Sequence, residues 1–267
     1  MASTDASGGG QVPLAGRQKL PDAVYDWLKA QIMDGELPPS ARVNLDEIAR
    51  RLSVSQSPVR EALARLAAEG LVVHEPYRGY STTPLMSRGQ FEELFDFRLL
   101  IEPWAAGRAA ERCSAADAAA LEAELATCVE VAAGSSFSAY GGVIAHDGRF
   151  HDLILGLAGN GHLRQALSHS HFPLHMHRLH YKKSIGASAF AEHQRITTAI
   201  AQRDPDWAAA AMRRHLEGTR NRWLPVFDEW GGAGIVDADP AGAHAASADP
   251  VDAAAGGAAA GGAEADR

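Results

Sequence analysis

The stretch Leu45-Asp-Glu-Ile-Ala-Arg-Arg-Leu-Ser-Val-Ser-Gln-Ser-Pro-Val-Arg-Glu-Ala-Leu63 reads as two helices joined by a tight turn. Leu45, Ile48, Ala49 and Leu52 share one helical face, and Val59, Leu63 and Leu66 share another. Ser53, Val54 and Ser55 supply the turn. Ser57 is expected to cap the second helix, with Pro58 at its first position, where the missing N–H costs nothing. Ser55, Gln56, Ser57 and Arg60 then lie at the exposed N-terminal end of that helix. Short polar groups and a guanidinium in that place suit base edges and phosphates.

Downstream, Gly70-Leu-Val-Val-His-Glu-Pro-Tyr-Arg-Gly-Tyr-Ser-Thr-Thr-Pro84 has a hairpin pattern, with β-formers at Leu71–Val73 and Tyr80–Thr82 around a turn at Pro76–Gly79. A helix-turn-helix followed by a hairpin is a winged helix, with Arg78 and Gly79 at the wing tip. Upstream, a helix is expected over Asp22–Asp34. Beyond Pro84 the apolar spacing is i, i+3, i+4 throughout, which predicts helices near 85–112, 115–133, 138–158, 160–183, 187–202 and 205–228. The expected fold class is mainly α: an N-terminal winged helix-turn-helix followed by an all-α antiparallel bundle of six or seven helices. Four regions are expected: a disordered Ser/Gly-rich start (1–16), the winged helix (17–84), the helical bundle (85–230) and a disordered, acidic Ala/Gly/Asp-rich tail (231–267).

The net charge of −8 is located mainly in the tail, since from Asp228 onward there are eight acidic residues and one basic one. The rest of the chain is close to neutral and can carry the local basic face that phosphate contacts require. The first residues lack the basic start and apolar stretch of a secretory signal, and no apolar run reaches the length of a membrane span, so a cytoplasmic protein without a membrane partner is expected. Cys113 and Cys128 form neither a CxxC pair nor a disulfide framework and read as reduced, packed thiols.

Several polar residues fall on apolar helical stripes. Asp147 and His151 are spaced i, i+4 among Val143, Phe150 and Ile154; His193 lies with Ala189, Ile196 and Ile200; His215 lies with Trp207 and Ala211. Three histidines and one aspartate aimed into a bundle interior suit a divalent metal, which compensates the buried carboxylate. The competing reading is a set of core histidines satisfied by hydrogen bonds. The cluster His169, His171, His175, His177 and His180 spreads around its helix and reads as a solvated or partly packed surface. Arg98 lies on an inward face with Phe91 and Phe95. There it either anchors a carboxylate bidentately or pairs with Glu102 at i, i+4. Arg222 is a weaker second anchor.

Gly35-Glu-Leu-Pro-Pro, Leu45-Asp-Glu-Ile-Ala, Val54-Ser-Gln-Ser-Pro-Val-Arg-Glu-Ala-Leu63, Leu66-Ala-Ala-Glu-Gly-Leu-Val72 and Arg78-Gly79 resemble the DNA-binding module of the GntR family. Three departures stand out. Ser40 replaces the usual Gly, Gln56 stands where a base-contacting Arg is common, and Asp46 occupies a position that is a DNA-contacting Arg in some members. Gln pairs with adenine where Arg prefers guanine. Arg60 matches the family's DNA-contacting Arg, against the alternative of a salt bridge to Glu61 or Asp46. Arg98-Leu-Leu-Ile-Glu102, Asp147-Gly-Arg-Phe-His151, Gly159-Asn160, Glu192-His193-Gln-Arg-Ile196 and Arg214-His215-Leu216 resemble the FadR-like branch with its FCD sensor domain.

The resemblance implies a regulator that binds a palindromic double-stranded DNA operator as a homodimer. It further implies a divalent metal at Asp147, His151, His193 and His215 (zinc foremost, with nickel, manganese or iron as alternatives) and a small organic acid effector beside it. A repressor is the expected sign. The alternatives are a constitutive DNA-binding protein with a structural metal, and a metal-dependent enzyme, for which no further carboxylate is positioned as a general base.

Overall fold

The computed structural model describes residues 20–128, 137–178 and 187–230. The expected disordered segments 1–16 and 231–267 lie outside the described residues, as do His180 and residues 129–133 and 179–183 of two expected helices.

The N-terminal part holds α1 (Leu20–Met33), β1 (Arg42–Val43), α2 (Leu45–Arg51), α3 (Gln56–Ala68), β2 (Val72–Glu75) and β3 (Gly79–Thr82). Strand order is β1-β3-β2, antiparallel throughout, with Arg42 opposite Ser81 and His74 opposite Tyr80. Two-residue β1 is too short to show a period and was not expected; Thr82 fastens it by accepting a 2.9 Å hydrogen bond from the Ala41 N–H. Val24, Leu28, Val59, Leu63, Leu66 and Leu71 are fully buried and form the core of this part.

Helix α3 begins two residues earlier than expected. Ser55, not Ser57, is its N-cap, with extended backbone and no side-chain capping bond, and Pro58 is the third helical residue rather than the first. Proline is tolerated there for the same reason as at the first position, because N–H groups of the first turn have no intrahelical partner. Ser40, a departure noted in the sequence, has φ +60°, a left-handed conformation that disfavours side chains.

The following part is all-helical: α4 (Arg88–Arg112), α5 (Ala115–Leu125), α6 (Phe137–Ala158), α7 (Gly161–His169), α8 (Phe172–Arg178), α9 (Ala187–Ala201) and α10 (Pro205–Trp230). Ser87 and Ser114 open α4 and α5 with capping boxes to Gln90 and Asp117. The single helix expected over 160–183 is broken at Ser170–His171, where His171 takes φ +45°. Helix α5 stops at Leu125, and Thr127 Oγ1 donates back to the Glu124 carbonyl at 2.7 Å.

The two parts are packed together. Val143 and Ile144 of α6 enter the core of the N-terminal part, and Leu174 of α8 packs against it. Phe150, Ile154, Ile196, Ile200, Met212 and Leu216 build a second core between α4, α5, α6, α9 and α10. That core places one face of α6, α9 and α10 around a common interior.

Candidate metal centre and DNA-contacting surface

Asp147 and His151 come from successive turns of α6, His193 from α9 and His215 from α10. One donor atom from each lies within 4.8 Å of the other three. His151 Nε2 and His193 Nε2 sit 3.8 and 3.7 Å from Asp147 Oδ1. The histidines are buried, whereas the Asp147 side chain is 28% exposed, so the cluster opens to solvent at the carboxylate. Phe150 stacks on the His193 ring at 4.1 Å between centroids and holds its plane.

Each imidazole is held from behind through Nδ1. Glu102 Oε2 takes the Nδ1 of His151, Glu192 Oε2 lies 2.8 Å from the Nδ1 of His215, and His146 Nε2 lies 3.0 Å from the Nδ1 of His193. His146 is anchored in turn by Glu124 Oε1 at 3.0 Å, and Glu124 is gripped by Arg149 through Nε at 2.9 Å and Nη2 at 3.0 Å. Outer partners of this kind fix which ring nitrogen carries the proton and leave the other for coordination. His193 Nε2 is fully buried and has no hydrogen-bond partner among the described residues. An unpaired buried imidazole nitrogen is costly, and a cation bound between it and Asp147 removes the cost.

The electrostatics agree with the ligand forms of these groups. Burial, reinforced by the neighbouring imidazoles and Arg98, pushes His193 well below the usual imidazole range. Burial also lowers His215, against the opposing pull of Glu192. Burial tends to raise Glu102, but Arg98 and His151 outweigh it and bring the carboxyl to about 2. Glu192 is likewise raised by burial, and His215 and Arg222 together bring it to about 2. Neutral imidazoles at His193 and His215, with ionised Glu102 and Glu192 behind the rings, suit a divalent cation. Three nitrogens and one carboxylate oxygen fit zinc, nickel, manganese or iron.

Arg98 is buried beside this cluster. Its Nε bonds Glu102 Oε1 at 2.5 Å, its Nη2 lies 3.4 Å from His151 Nε2, and the Phe172 ring covers its guanidinium at 3.7 Å. The i, i+4 ion pair is therefore present. Arg222 is half-exposed and bonds both oxygens of Glu192, at 2.6 and 2.8 Å. It braces the carboxylate that holds His215. In the sequence Glu102 stands out only as a partner for Arg98, not as a support for His151, and Glu192, His146 and Glu124 do not stand out as supports. Glu102 alone had a signal, its i, i+4 spacing from Arg98; the others depend on contacts between helices.

On the N-terminal part, Ser55, Gln56, Ser57 and Arg60 are all exposed at the start of α3. Arg60 Nη2 donates to Gln56 Oε1 at 3.1 Å, and Gln56 Nε2 donates to Asp46 Oδ1. Arg60 thus reaches Asp46 only through Gln56. At the wing, Arg78 is largely exposed and pairs with Glu75 at 3.0 Å, Gly79 has φ +84°, and fully exposed Tyr77 stands at the tip.

Of the histidine-rich cluster, His169 is exposed and His175 is packed, its Nε2 lying 3.2 Å from where a side chain on Gly70 would begin. The side chain of His177 lies outside the described residues, as His180 does. Cys113 is buried, Cys128 is half-buried, and both are free. Among the described residues no helix is long and apolar enough to cross a membrane.

Comparison with known proteins gives two domain matches. Residues 20–81 match the bacterial regulatory proteins of the gntR family, and residues 93–218 match the FCD domain. The uncharacterized HTH-type transcriptional regulator YdhC of Bacillus subtilis is 26% identical over 207 residues, covering 77% of this chain and 91% of that protein. An uncharacterized HTH-type transcriptional regulator from the TAR-I ttuE-ttuC' intergenic region of Agrobacterium vitis is 32% identical over 155 residues, covering 56% and 85%. Among solved structures, Escherichia coli McbR/YncC matches with a TM-score of 0.54 at 18% identity, covering 81% of this chain and all of that one. That likeness bears on the fold alone.

Proposed function

The chain belongs to the gntR family of bacterial regulatory proteins and carries an FCD domain, and from that premise we propose a metabolite-responsive repressor that senses a small carboxylate beside a divalent metal. It is a transcriptional regulator of the GntR/FCD type; its relatives and both matched domains are those of regulators rather than enzymes.

The unpartnered, buried Nε2 of His193 facing the Asp147 carboxylate carries the metal reading. Asp147, His151, His193 and His215 hold the ion, which when bound supplies a positive centre for an anionic oxygen. Arg98 commits its Nε to Glu102 and keeps η nitrogens at the edge of the cluster to receive the same anion. The exposed side of Asp147 is the way in. Both winged helices of a homodimer engage a palindromic operator through Ser55, Gln56, Ser57 and Arg60, with Arg78 and Gly79 at the wing, because one winged helix covers too little DNA. The domain limits follow the sequence reading, 17–84 for DNA and 85–230 for sensing.

Helix α8 supplies the route between the two. Phe172, its first residue, lies on Arg98 at one end; His175 rests against Gly70; and Arg178 at the other end donates to Thr83 Oγ1 at 2.6 Å and the Thr83 carbonyl at 2.7 Å. An anion drawing on Arg98 shifts Phe172 and, through α8, the junction after the wing.

One observation favours the second reading, a constitutive regulator with a structural metal: both Arg98 and Arg222 already have carboxylate partners. Fluorescence anisotropy on operator DNA at fixed salt, with and without a panel of mono-, di- and tricarboxylates, separates the two. Release by one class of acid, lost in His193→Ala, supports sensing; binding indifferent to every acid with one metal retained supports the structural role.

A further inference from the structure

Gln56 sits between two groups whose hydrogen-bonding roles are fixed. The carboxylate of Asp46 can only accept, and it takes the Gln56 NH₂; the guanidinium of Arg60 can only donate, and it gives to the Gln56 carbonyl oxygen at 3.1 Å. Rotating the amide by half a turn would set NH₂ against guanidinium and carbonyl against carboxylate. The amide is therefore held in one orientation at the first position of the recognition helix. Asp46 is itself steadied: it lies in the first turn of α2, where Asn44 caps the helix by accepting from the Asp46 and Glu47 N–H groups at 3.0 and 3.2 Å. The helix N-terminus also favours its negative charge.

We propose that Asp46 is a specificity-determining residue that sets Gln56 to read adenine without touching a base, a role that rests on α3 being the helix that enters the major groove. The clamp uses one N–H and one lone pair of the amide and leaves one of each for a base edge. Adenine presents N7 as acceptor and N6–H as donor, which matches that remaining pair. Guanine presents two acceptors, N7 and O6. An unclamped amide can turn its NH₂ toward both, but the clamped one meets O6 with its own carbonyl oxygen. Asp46 also places a negative charge near the phosphates, which weakens binding to all sequences alike. It trades general affinity for discrimination.

The test is selection of full-length protein on a random duplex library, with Gln56→Ala, Asp46→Ala and Asp46→Asn alongside the wild type. Wild type selects adenine at one position of each half-site, and Gln56→Ala loses that preference. Asp46→Ala reduces adenine-over-guanine selection about tenfold, while its affinity for unrelated duplex at 50 mM salt rises about threefold. Asp46→Asn keeps an acceptor oxygen but no charge; it retains the adenine preference and shows the same gain in general affinity. All four fold alike, because Asp46 and Gln56 are exposed. Unaltered base selection in Asp46→Ala, with Gln56→Ala altered, overturns the role of Asp46 alone. Unaltered selection in Gln56→Ala overturns the reading of α3 and this proposal with it.

Discussion

Glutamine at position 102 is the most informative single change in the helical domain. Glu102 is buried between Arg98 and His151, and the exchange keeps its shape while removing its charge. The fall of its carboxyl from 4.5 to about 2 corresponds to about 3 kcal/mol of net favour for the ionised form. The variant also leaves the Arg98 guanidinium buried without a counter-charge, and breaking one side of such a pair costs about 3–5 kcal/mol. Urea unfolding of the metal-free full chain should therefore show Glu102→Gln destabilised by about 3–5 kcal/mol, with a melting midpoint roughly 10 °C lower. Restoring apolar packing with Arg98→Met and Glu102→Leu together should recover most of the loss, since replacing a whole buried pair is often close to neutral. In the wild type the contribution of Glu102 is present above pH 4.5 and is lost as pH falls through about 2. A Glu102→Gln loss below about 1 kcal/mol would mean that the Glu102 charge is uncoupled from Arg98 and His151, contrary to the buried pairing.

Three further outcomes are expected. His146→Phe should weaken cobalt or zinc binding by about 10- to 100-fold in a competitive chelator titration, while His146→Gln, which can still accept from His193, keeps most of it. Arg178→Ala should leave metal affinity unchanged but blunt the effect of the carboxylate on operator binding, read by anisotropy, because α8 loses its hold on Thr83 and Pro84. Burial, then the charges of Arg178 and His171, lowers His175 to about 4. The unfolded chain takes up that proton from about pH 6.5 downward while the fold resists, so the contribution of His175 is full above 6.5 and is lost toward pH 4, by up to about 3 kcal/mol. Unfolding at pH 7 and pH 4.5 checks this, and His175→Asn should reduce the difference, the remainder coming from His193 and His215.

Where the chain's own chemistry is local, the sequence was a good guide. The i, i+4 spacing of Asp147 and His151 placed both on one face of α6, and the stripes through His193 and His215 pointed them into the same interior. The hairpin could be read from β-formers around Pro76–Gly79, though β2 runs two residues and β3 one residue further toward the turn. Two features depended on tertiary context. The apolar period runs on through Ser170 and His171, and the break appears only because α8 must lie against Gly70 and Arg98. The outer supports of the histidines come from α4, α5 and α9 to α6 and α10, contacts between 22 and 49 residues apart that no spacing rule encodes. Ser57 as a cap failed for a smaller reason: three serines within five positions, at 53, 55 and 57, offer equivalent caps, and the left-handed Ser53 turn selects Ser55.

The sensing role depends on what Asp147, His151, His193 and His215 hold. A native mass spectrum of the purified full chain should show one divalent ion per chain together with a small organic acid, and His193→Ala should carry neither. A wild-type chain that is bare, or a His193→Ala variant that keeps the ion, would contradict the assignment of Asp147, His151, His193 and His215 as the sensing centre.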